Sequence, residues 1–487
     1  MHILDLPNEL LQGIIISSIN TRGVKRGLRL KLVCKRINEN FVPALYGSRA
    51  LDRFSARDVG RSWRVRNDRY GAGKLWHDYL VYRAMGETDP SVGRFVEIRQ
   101  TAEALLASTS SSPSSVWEGG GDHQPRPRTL RDIVEGLCWI ALENGTSRPG
   151  DRQQWAKYTQ EPQVETNAAA NLLCAAAYFN ELSVATTLLE KGESTPVHEM
   201  DLFPQAIEIA AFRCHDEMLD LFQTHIWAAA EATGDKVKMP DDLDEEWIRW
   251  SADKWPGAIR GALVADDLSM LQRAVFPPTL SDYPPPALSK RFSFPGGADP
   301  STTLTGLQWS AKSPAMWDYL IQLGATPSLH MAGMDQEYAR QGDLALLRHY
   351  RTRIGATRRS PPQDVPLNWA CRHCYEDVVD YLLDEYTSSG EDPPRSTLSL
   401  FAARAGSVRI MAKLIDAAVL SSEKHGGRRF LAEVVRGENQ AMLELLVRKG
   451  FVFTEEDRKF AAERASKSGL DSMVDYLKSW ETTASPG

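Results

Sequence analysis

One pattern of apolar and polar positions recurs from about residue 168 to the end of the chain. Two small or apolar residues are followed, after two exposed positions, by Gly or a polar residue. Four residues further on comes an apolar pair, and a second apolar pair follows one helical turn later, as in FAARAGSVRIMAKLIDAA at 401–418. Apolar residues at i and i+4 lie on one face of a helix. Each copy of the pattern therefore predicts two short helices joined by a turn.

The residue at the turn between the two helices repeats at an almost constant spacing. The first two turn positions are 34 residues apart, and the last five are separated by 32, 32, 32 and 31 residues. The turn positions are Asn180, Cys214, Asp266, Lys312, Gly342, Cys374, Gly406, Glu438 and Gly469. No single pair can bury its own apolar face, but stacked pairs can, so this period predicts a helical solenoid.

The remaining segments differ from the repeats in composition. Residues 1–50 predict three short helices, the first with Leu10, Leu11 and Ile14 on one face. Stretches rich in Ser, Gly and Pro cannot bury much surface and predict a linker and a long inserted loop. The predicted organisation is an N-terminal segment 1–50, a helical connector 51–107, a disordered linker 108–128, a helical lead-in 129–167, repeats 168–480 with a Pro-rich insertion 277–303, and a tail 481–487.

The repeats resemble ankyrin repeats. Residues 365–371, VPLNWAC, are similar to that family's Thr-Pro-Leu-His-x-Ala-Ala opening, and residues 320–327, LIQLGATP, are similar to its helix end and loop. The Trp/Gly/Tyr signature of tetratricopeptide repeats, which have a similar period, is missing. The resemblance covers about residues 168–480. It implies an all-α fold, a solenoid of about nine degenerate helix pairs whose groove holds a partner.

The N-terminal segment resembles an F-box. Residues 6–14, LPNELLQGI, are similar to the opening of that family, and residues 28–41, LRLKLVCKRINENF, are similar to its middle. Two features depart from the family: TRGVKRG is inserted between Pro7 and Val33, and Ile37 stands near the place of the usual aromatic residue. The resemblance implies docking onto the Skp-type adaptor of cullin–RING ubiquitin ligases. The residues it places at that contact are Leu6, Pro7, Leu10, Leu11, Ile14, Leu30, Val33 and Cys34.

The resemblance to ankyrin repeats also indicates which residues face the groove, namely the two between the small pair and the turn position. The first of these is basic in each of the last five units. The predicted groove residues are Tyr178, Phe179, Phe212 and Arg213 in the earlier units, and Arg340, Arg372, His373, Arg404, Arg436 and Lys467 in the later ones. We expect the basic residues to bind an extended acidic or phosphorylated segment of a target protein. The alternative is a solvated helix face neutralised by nearby acids. Those acids are Asp343, Glu376, Glu438 and Asp471.

Composition and charge add exclusions to this interpretation. A formal charge of −7 over 487 residues gives no global reason to expect nucleic acid as a partner. No stretch approaches 18 uncharged apolar residues, so we expect no membrane span. The N-terminus carries Asp5 and Glu9 and lacks the basic segment and cleavage site of a signal peptide. Six scattered cysteines are typical of a reducing compartment, which predicts a cytoplasmic or nuclear protein.

The sequence contains no recognisable catalytic or cofactor motif. A nucleophile elbow, a phosphate loop, a His-rich metal motif and a dinucleotide fingerprint are all missing, so neither an enzyme nor a cofactor is predicted. Cys371 and Cys374 form the one C-x-x-C, and no second pair completes a zinc site. In the repeat register Cys371 takes the small buried position and Cys374 the turn position, so we expect a structural role for both.

The two resemblances together are similar to fungal proteins that join an F-box-like segment to ankyrin repeats. The expected function is a non-enzymatic scaffold: a substrate receptor that holds a target in its groove and links it to a cullin–RING ligase. The alternative is an ankyrin adaptor without a ligase role, in which the F-box remnant only caps the solenoid.

Overall fold

The structure of the chain, a computed structural model, is almost entirely helical, and the prediction of an all-α fold is confirmed. The structure describes residues 5–53, 72–90, 94–109, 116–117, 126–143, 167–198, 202–234, 247, 251–252, 254–278, 307–323, 325, 334–354, 365–389, 398–421 and 427–483. The chain divides into two units, residues 1–326 and residues 327–487. Within the ranges just given, no helix is both long enough and apolar enough to cross a membrane.

The first unit contains the N-terminal segment, three further helices and the earlier helix pairs. Its elements are α1 (Asn8–Arg22), α2 (Val24–Gly27), a 3₁₀ helix (Leu28–Leu32), α3 (Lys35–Gly47), a second 3₁₀ helix (Ala50–Arg53), α4 (Ala72–Gly86), α5 (Phe95–Thr109), β1 (Val116–Trp117), β2 (Arg126–Pro127), α6 (Leu130–Glu143), α7 (Ala168–Phe179), α8 (Leu182–Glu190), α9 (Ala206–Phe212), α10 (Asp216–Ala232), α11 (Pro256–Ala265), α12 (Leu268–Val275), a third 3₁₀ helix (Gln308–Ser310) and α13 (Pro314–Gln322).

The second unit consists of five helix pairs, which we number 1 to 5. They are α14 (Met334–Gln341) with α15 (Leu344–Ile354), α16 (Val365–His373) with α17 (Glu376–Ser389), α18 (Leu398–Ala405) with α19 (Val408–Asp416), α20 (Arg428–Arg436) with α21 (Gln440–Arg448), and α22 (Glu455–Lys467) with α23 (Asp471–Thr483). Each first helix packs on the first helix of the next pair, and the second helices of pairs 1 to 4 do the same. The second unit is therefore a stack with a row of first helices and a row of second helices.

A left-handed backbone conformation marks the turn inside the helix pairs. Eight of the nine turn positions that the sequence indicates have a positive φ, between 53° at Glu438 and 78° at Gly406. The exception is Lys312, which lies before α13 and is not among the positive-φ residues. A residue in this conformation ends one helix and lets the chain reverse into the next. In six of the turns the following N–H donates to a carbonyl five residues back, such as Tyr375 to Ala370 at 3.1 Å.

Side chains directly after the turn positions start the second helices. Asp343, Ser407 and Asn439 each accept a hydrogen bond from a backbone N–H three residues on, at 2.9 to 3.3 Å. Such caps satisfy donors that the first turn of a helix leaves without a partner. The Asn439 amide also donates to the Gly406 carbonyl oxygen at 2.8 Å. One side chain thus starts a helix of pair 4 and ties that pair to pair 3.

Small residues let the first helices approach closely. Ala210 and Ala211 of α9 are fully buried against α11. A Cβ at Gly261 of α11 would lie 2.2 Å from the Glu208 carbonyl oxygen, which is too close for any residue other than glycine. Bulky residues of the second helices, such as Val378 and Leu382, are fully buried and contribute to the core of each layer. The division into small first-helix and bulky second-helix positions agrees with the sequence pattern.

Some predicted boundaries differ from the structure. Helix α5 extends to Thr109, and β1 pairs antiparallel with β2, so parts of the predicted disordered linker 108–128 are ordered. Helix α23 continues to Thr483, three residues into the predicted tail. Most of the Pro-rich insertion 277–303 lies outside the described residues.

Two turn glycines allow a test of how the turn is built. Gly342 and Gly406 both have left-handed backbones, but a Cβ would lie 2.6 Å from the Tyr375 ring at Gly342 and 3.7 Å from its nearest neighbour at Gly406. We expect Gly406→Ala to lower the free energy of unfolding by about 1 kcal/mol, because a Cβ is strained in this backbone conformation. Gly342→Ala should cost about 2–4 kcal/mol, because a steric clash is added. Urea denaturation followed by circular dichroism measures both, and equal losses would contradict the role given to Tyr375.

Candidate partner-binding surfaces

The N-terminal segment exposes an unusual amount of apolar surface. Ten large apolar side chains are exposed in the described part of the chain, and five of them lie between residues 10 and 33. They are Leu10, Ile14, Leu28, Leu32 and Val33. Exposed apolar side chains grouped in this way make the segment a candidate binding surface. Leu10 is 57% exposed and Val33 is 65% exposed, so neither side chain contributes much to the core.

The eight residues predicted at this surface occupy different environments. Leu10, Ile14 and Val33 are exposed as predicted, Pro7 is also exposed, and Leu6, Leu30 and Cys34 are half-buried. Leu11 is buried to 1% exposure, so its placement on the exposed face was wrong. The physical reason is that Leu11, Ile15 and Ile19 recur every four residues and form the stripe of α1 that is buried where this helix packs on α3.

Two exposed residues of the 3₁₀ helix were missed by the sequence analysis. Leu32 is 85% exposed and Leu28 is also exposed. The signal was present in the sequence, because leucines alternate at 28, 30 and 32 in a stretch too short to form a core of its own. A 3₁₀ helix has three residues per turn, so residues four apart do not share one face as they do in an α-helix. The spacing expected for an α-helix therefore could not identify which side chains of residues 28–32 are exposed.

The N-terminal segment is attached to α4 through its opposite end. The Tyr46 ring of α3 packs against the rings of Tyr79 and Tyr82, with centroid distances of 5.4 and 5.5 Å. The Tyr79 hydroxyl donates to Asp52 at 2.5 Å. Burial, followed by its hydrogen bond to Asp52, raises the pKa of Tyr79, so this hydroxyl remains a donor. The exposed apolar residues therefore belong to a segment that is firmly held on α4.

Buried charges reinforce this attachment. The Arg83 guanidinium is 3% exposed and forms ion pairs with Asp52 and Glu87, the latter at 2.9 Å. Arg49 of the N-terminal segment also contacts Glu87, at 3.3 Å. Burial alone would raise the pKa of Glu87, but hydrogen bonds from Arg83 and from the Asp89 N–H, together with Arg49, lower it. Removal of Arg83 would leave Glu87 as a buried carboxylate without its closest cation.

The predicted aromatic end of the groove is largely covered. Tyr178 and Phe179 contact Gly136 of α6, where a Cβ would lie 2.6 and 2.7 Å from their rings. Arg128 lies over the Phe179 ring and Arg213 over the Tyr178 ring, at 5.0 and 4.7 Å from the centroids. Both rings are thus used in packing the lead-in helix against the first repeat. Tyr178, Phe179 and Phe212 are half-buried, and Arg213 is exposed.

We call Arg340, Arg372, Arg404, Arg436 and Lys467 the basic row. Arg340 is only 14% exposed, because its guanidinium pairs with Glu337 three residues earlier on α14. Arg372 lies 5.3 Å from the Trp369 centroid and 5.8 Å from the Phe401 centroid. Its neighbour His373 stacks on Trp369, with centroids 5.9 Å apart. The first two members are therefore held by neighbouring side chains.

The other three members of the basic row are more open. Arg404 donates two hydrogen bonds of 3.1 Å to Glu433 of the next pair, and this contact raises the pKa of Arg404. Arg436 is 75% exposed, and its nearest carboxylate oxygen, also on Glu433, is 3.9 Å away. Lys467 is exposed at the end of α22. One glutamate thus faces two consecutive members of the row.

Two of the acids proposed from the sequence to neutralise the row are used elsewhere. Asp343 caps α15, and Glu376 faces Arg409 and Lys413 on the second helices, each at 3.8 Å. The acids that do contact the row, Glu337 and Glu433, lie three residues before a basic residue on the same helix. That spacing was visible in the sequence, since residues three apart share a helix face.

The cysteines of the C-x-x-C have the environment of structural residues. Cys371 is fully buried and Cys374 is half-buried at its left-handed turn. Burial raises the pKa of both thiols, which disfavours the reactive thiolate. Among the residues that the structure describes, no group of three or more His, Cys, Asp or Glu could hold a metal ion.

Comparison with known proteins adds no relative. A scan against models of protein families matches none of them, and a search among curated proteins finds no match either. Assignment of a function therefore depends on the geometry of the chain's own residues.

The buried charges at α4 predict a pH-dependent stability. The pKa of Glu87 is lowered from its ordinary value of 4.5, so its carboxylate stabilises the fold above that pH. This contribution is lost as the pH falls through the lowered pKa. We expect Glu87→Gln to lower the free energy of unfolding at pH 7 by about 1–3 kcal/mol. The free energy of unfolding of this variant should also fall less steeply as the pH is lowered.

The matched control is Glu103→Gln on α5, where the carboxylate is 53% exposed. Thermal unfolding from pH 7 to pH 3 compares both variants with the unaltered protein. Identical pH profiles for the two variants would contradict a special role for Glu87.

Proposed function

We propose that the chain is a substrate receptor with an ankyrin-type solenoid. The N-terminal segment would act as an F-box that docks on a Skp-type adaptor of a cullin–RING ubiquitin ligase, and the repeats would hold a target protein. The receptor does no chemistry itself. It raises the local concentration of a target lysine near a ubiquitin-charged enzyme supplied by the complex. Such an assembly belongs in the cytoplasm or the nucleus.

The observation that carries this proposal is the exposed apolar surface of the N-terminal segment. Burying one leucine or valine side chain contributes about 1.5–3 kcal/mol. Burial of Leu10, Ile14, Leu32 and Val33 against a partner would offset part of the cost of association. A surface left exposed without a partner would favour aggregation instead.

The attachment to α4 supports a docking role for the segment. A firm attachment fixes the position of the docking face relative to the first repeats. Within the first unit, Tyr46 and Asp52 bind α4, and α4 packs on α5, which in turn packs on α7 of the first repeat. The Arg83 and Glu87 side chains at this joint are buried, so bending it would expose and unpair them.

The left-handed turns support the repeat assignment. Eight of the nine turn positions adopt the same unusual conformation, and non-glycine residues rarely do so without a structural requirement. A period of 31 to 34 residues with two helices per repeat fits the ankyrin type.

The alternative, in which the N-terminal segment only caps the solenoid, has less support. A cap must cover the apolar face of the first repeat. In this chain α5 and α6 pack on α7, and Asn171 of α7 donates to Glu97 of α5 at 2.8 Å. Since these two helices already cover the first repeat, a cap is not needed from residues 1–50.

Charge substitutions on the apolar surface test the proposal. We expect Leu10→Asp with Val33→Asp to weaken binding of a purified Skp-type adaptor at least about tenfold, because each change buries a carboxylate in the contact. The matched control is Val447→Asp with Val452→Asp in the second unit, where the side chains are 51% and 80% exposed. Titration calorimetry measures the affinity, and circular dichroism verifies folding. Equal adaptor binding by both double variants would sink the docking role.

A further inference from the structure

The two rows of helices in the second unit carry opposite charge. The five first helices contain ten cationic and seven acidic residues, whereas the five second helices contain seven cationic and ten acidic ones. The first helices are therefore net positive by three charges and the second helices net negative by three. This asymmetry separates the faces of a chain whose overall charge is −7. A positive face on a negative protein attracts acidic ligands to one side of the molecule.

Charges on the second helices are largely used between neighbouring pairs. Lys413 of pair 3 contacts Asp380 of pair 2 at 2.7 Å, and Lys449, just after α21 of pair 4, contacts Asp416 of pair 3 at 2.5 Å. Arg351 of pair 1 likewise pairs with Glu385 of pair 2. Complementary charges thus join each of these pairs to the next, on a face whose helices are net negative.

The first helices place aromatic rings and cations side by side instead. Trp369 and Phe401 are half-buried and flank the Arg372 guanidinium in pairs 2 and 3. Further along the stack, Phe460 of pair 5 lies between Arg428 and Arg464, whose guanidinium carbons are 5.3 and 5.0 Å from its centroid. A guanidinium can lie over a ring and donate hydrogen bonds at its edge at the same time. This face therefore presents apolar surface next to hydrogen-bond donors.

Glu433 shows how a carboxylate fits this face. It receives two parallel hydrogen bonds from Arg404 of pair 3, and Arg436 of pair 4 approaches it to 3.9 Å. Cations from two consecutive helix pairs thus lie close to this one carboxylate. The exposed cations beyond it, Arg436 and Lys467, lack an equally close carboxylate among the described residues.

We propose that the first-helix face of pairs 2 to 5 binds an extended acidic segment of another protein. Its aromatic or large apolar residue would lie on Trp369 and Phe401, and its carboxylates would continue toward Arg436 and Lys467. We commit to Asp and Glu side chains rather than phosphate, since Glu433 already demonstrates the carboxylate fit. The inference rests on the proposed function, because it names the class of target that the receptor would hold.

The spacing of the stack sets the spacing of the ligand. Packed helices lie about 8–10 Å apart, and an extended chain advances about 3.3 Å per residue. Three residues therefore span one helix pair. A ligand with an aromatic residue followed by acids at the third, sixth and ninth positions matches pairs 2 to 5.

The test uses fluorescein-labelled peptides and the full chain. The probe carries one Trp and Glu at the third, sixth and ninth positions after it, separated by Ser and Gly, and is made in both chain directions. A second peptide replaces each Glu with Gln, and a third replaces each Glu with phosphoserine. Fluorescence anisotropy measures affinity from about 50 to 500 mM salt, where screening of exposed charges increases strongly.

The variants change the same charge on opposite faces. Arg436→Glu with Lys467→Glu alters the first-helix face. Arg409→Glu with Lys478→Glu alters the second-helix face, where the two side chains are 83% and 67% exposed. Both double variants change the net charge equally. We expect the first to weaken binding at least about tenfold and the second less than about twofold.

A benzoylphenylalanine in place of the peptide's Trp locates the apolar end. Its cross-links should map to residues 365–373 and 398–405. Equal weakening by both variants, equal binding of the Glu and Gln peptides, or cross-links elsewhere would overturn the proposal. No binding of the Glu peptide, or binding of the phosphoserine peptide alone, would overturn the choice of a carboxylate ligand.

Measuring both peptide binding and adaptor binding on each double variant distinguishes a failure of the peptide site from a failure of the docking role. Leu10→Asp with Val33→Asp should leave peptide binding unchanged, and the Arg436 and Lys467 reversals should leave adaptor binding unchanged. Loss of both activities in either variant would show that the two sites are not independent and would overturn this assignment of the ligand.

Discussion

The rest of the structure depends on a left-handed residue between two short helices. A helix of about nine residues buries one stripe and is unstable alone, so it must reverse at once and pack on its neighbours. The positive φ at the turn produces that reversal and fixes which residues of each helix point inward. Because the same turn recurs in each pair of the second unit, first helices align in one row and second helices in another. The basic row exists only because this register is maintained.

The two candidate surfaces differ in the physical basis of recognition. The N-terminal segment offers apolar side chains that gain free energy by leaving water, so its contact is insensitive to salt. The first-helix face of the second unit offers guanidinium groups whose contacts weaken with salt but select for geometry and charge. In the proposed receptor, the apolar contact would keep a stable link to the complex, and the charged contact would let targets exchange more easily. Each surface is held by its own packing, with buried charges at α4 in one case and stacked first helices in the other.

The sequence alone predicted the periodic features well and the tertiary ones poorly. Eight of nine turn positions followed from spacing, because a repeated backbone conformation leaves a repeated pattern. Leu11 was misplaced, because adjacent positions of a helix differ by about 100° and Leu10 and Leu11 face different ways. Tyr178 and Phe179 were assigned to a groove that α6 covers, and no local pattern reveals a contact with a helix some forty residues away. Trp369 and Phe401 were not assigned to the groove, although they lie three residues before Arg372 and Arg404 on the same face.

The residue types at the turns affect how easily related repeat proteins can be identified from their sequences. Three of the eight left-handed positions are glycine, and the others are Asn180, Cys214, Asp266, Cys374 and Glu438. A side chain in that conformation costs about 1 kcal/mol, which a well-packed stack tolerates. The requirement is therefore on backbone shape, and many residue types satisfy it. Related repeat arrays can therefore exchange the residue at every turn while the architecture is conserved. Structural similarity among them would then outlast detectable sequence similarity.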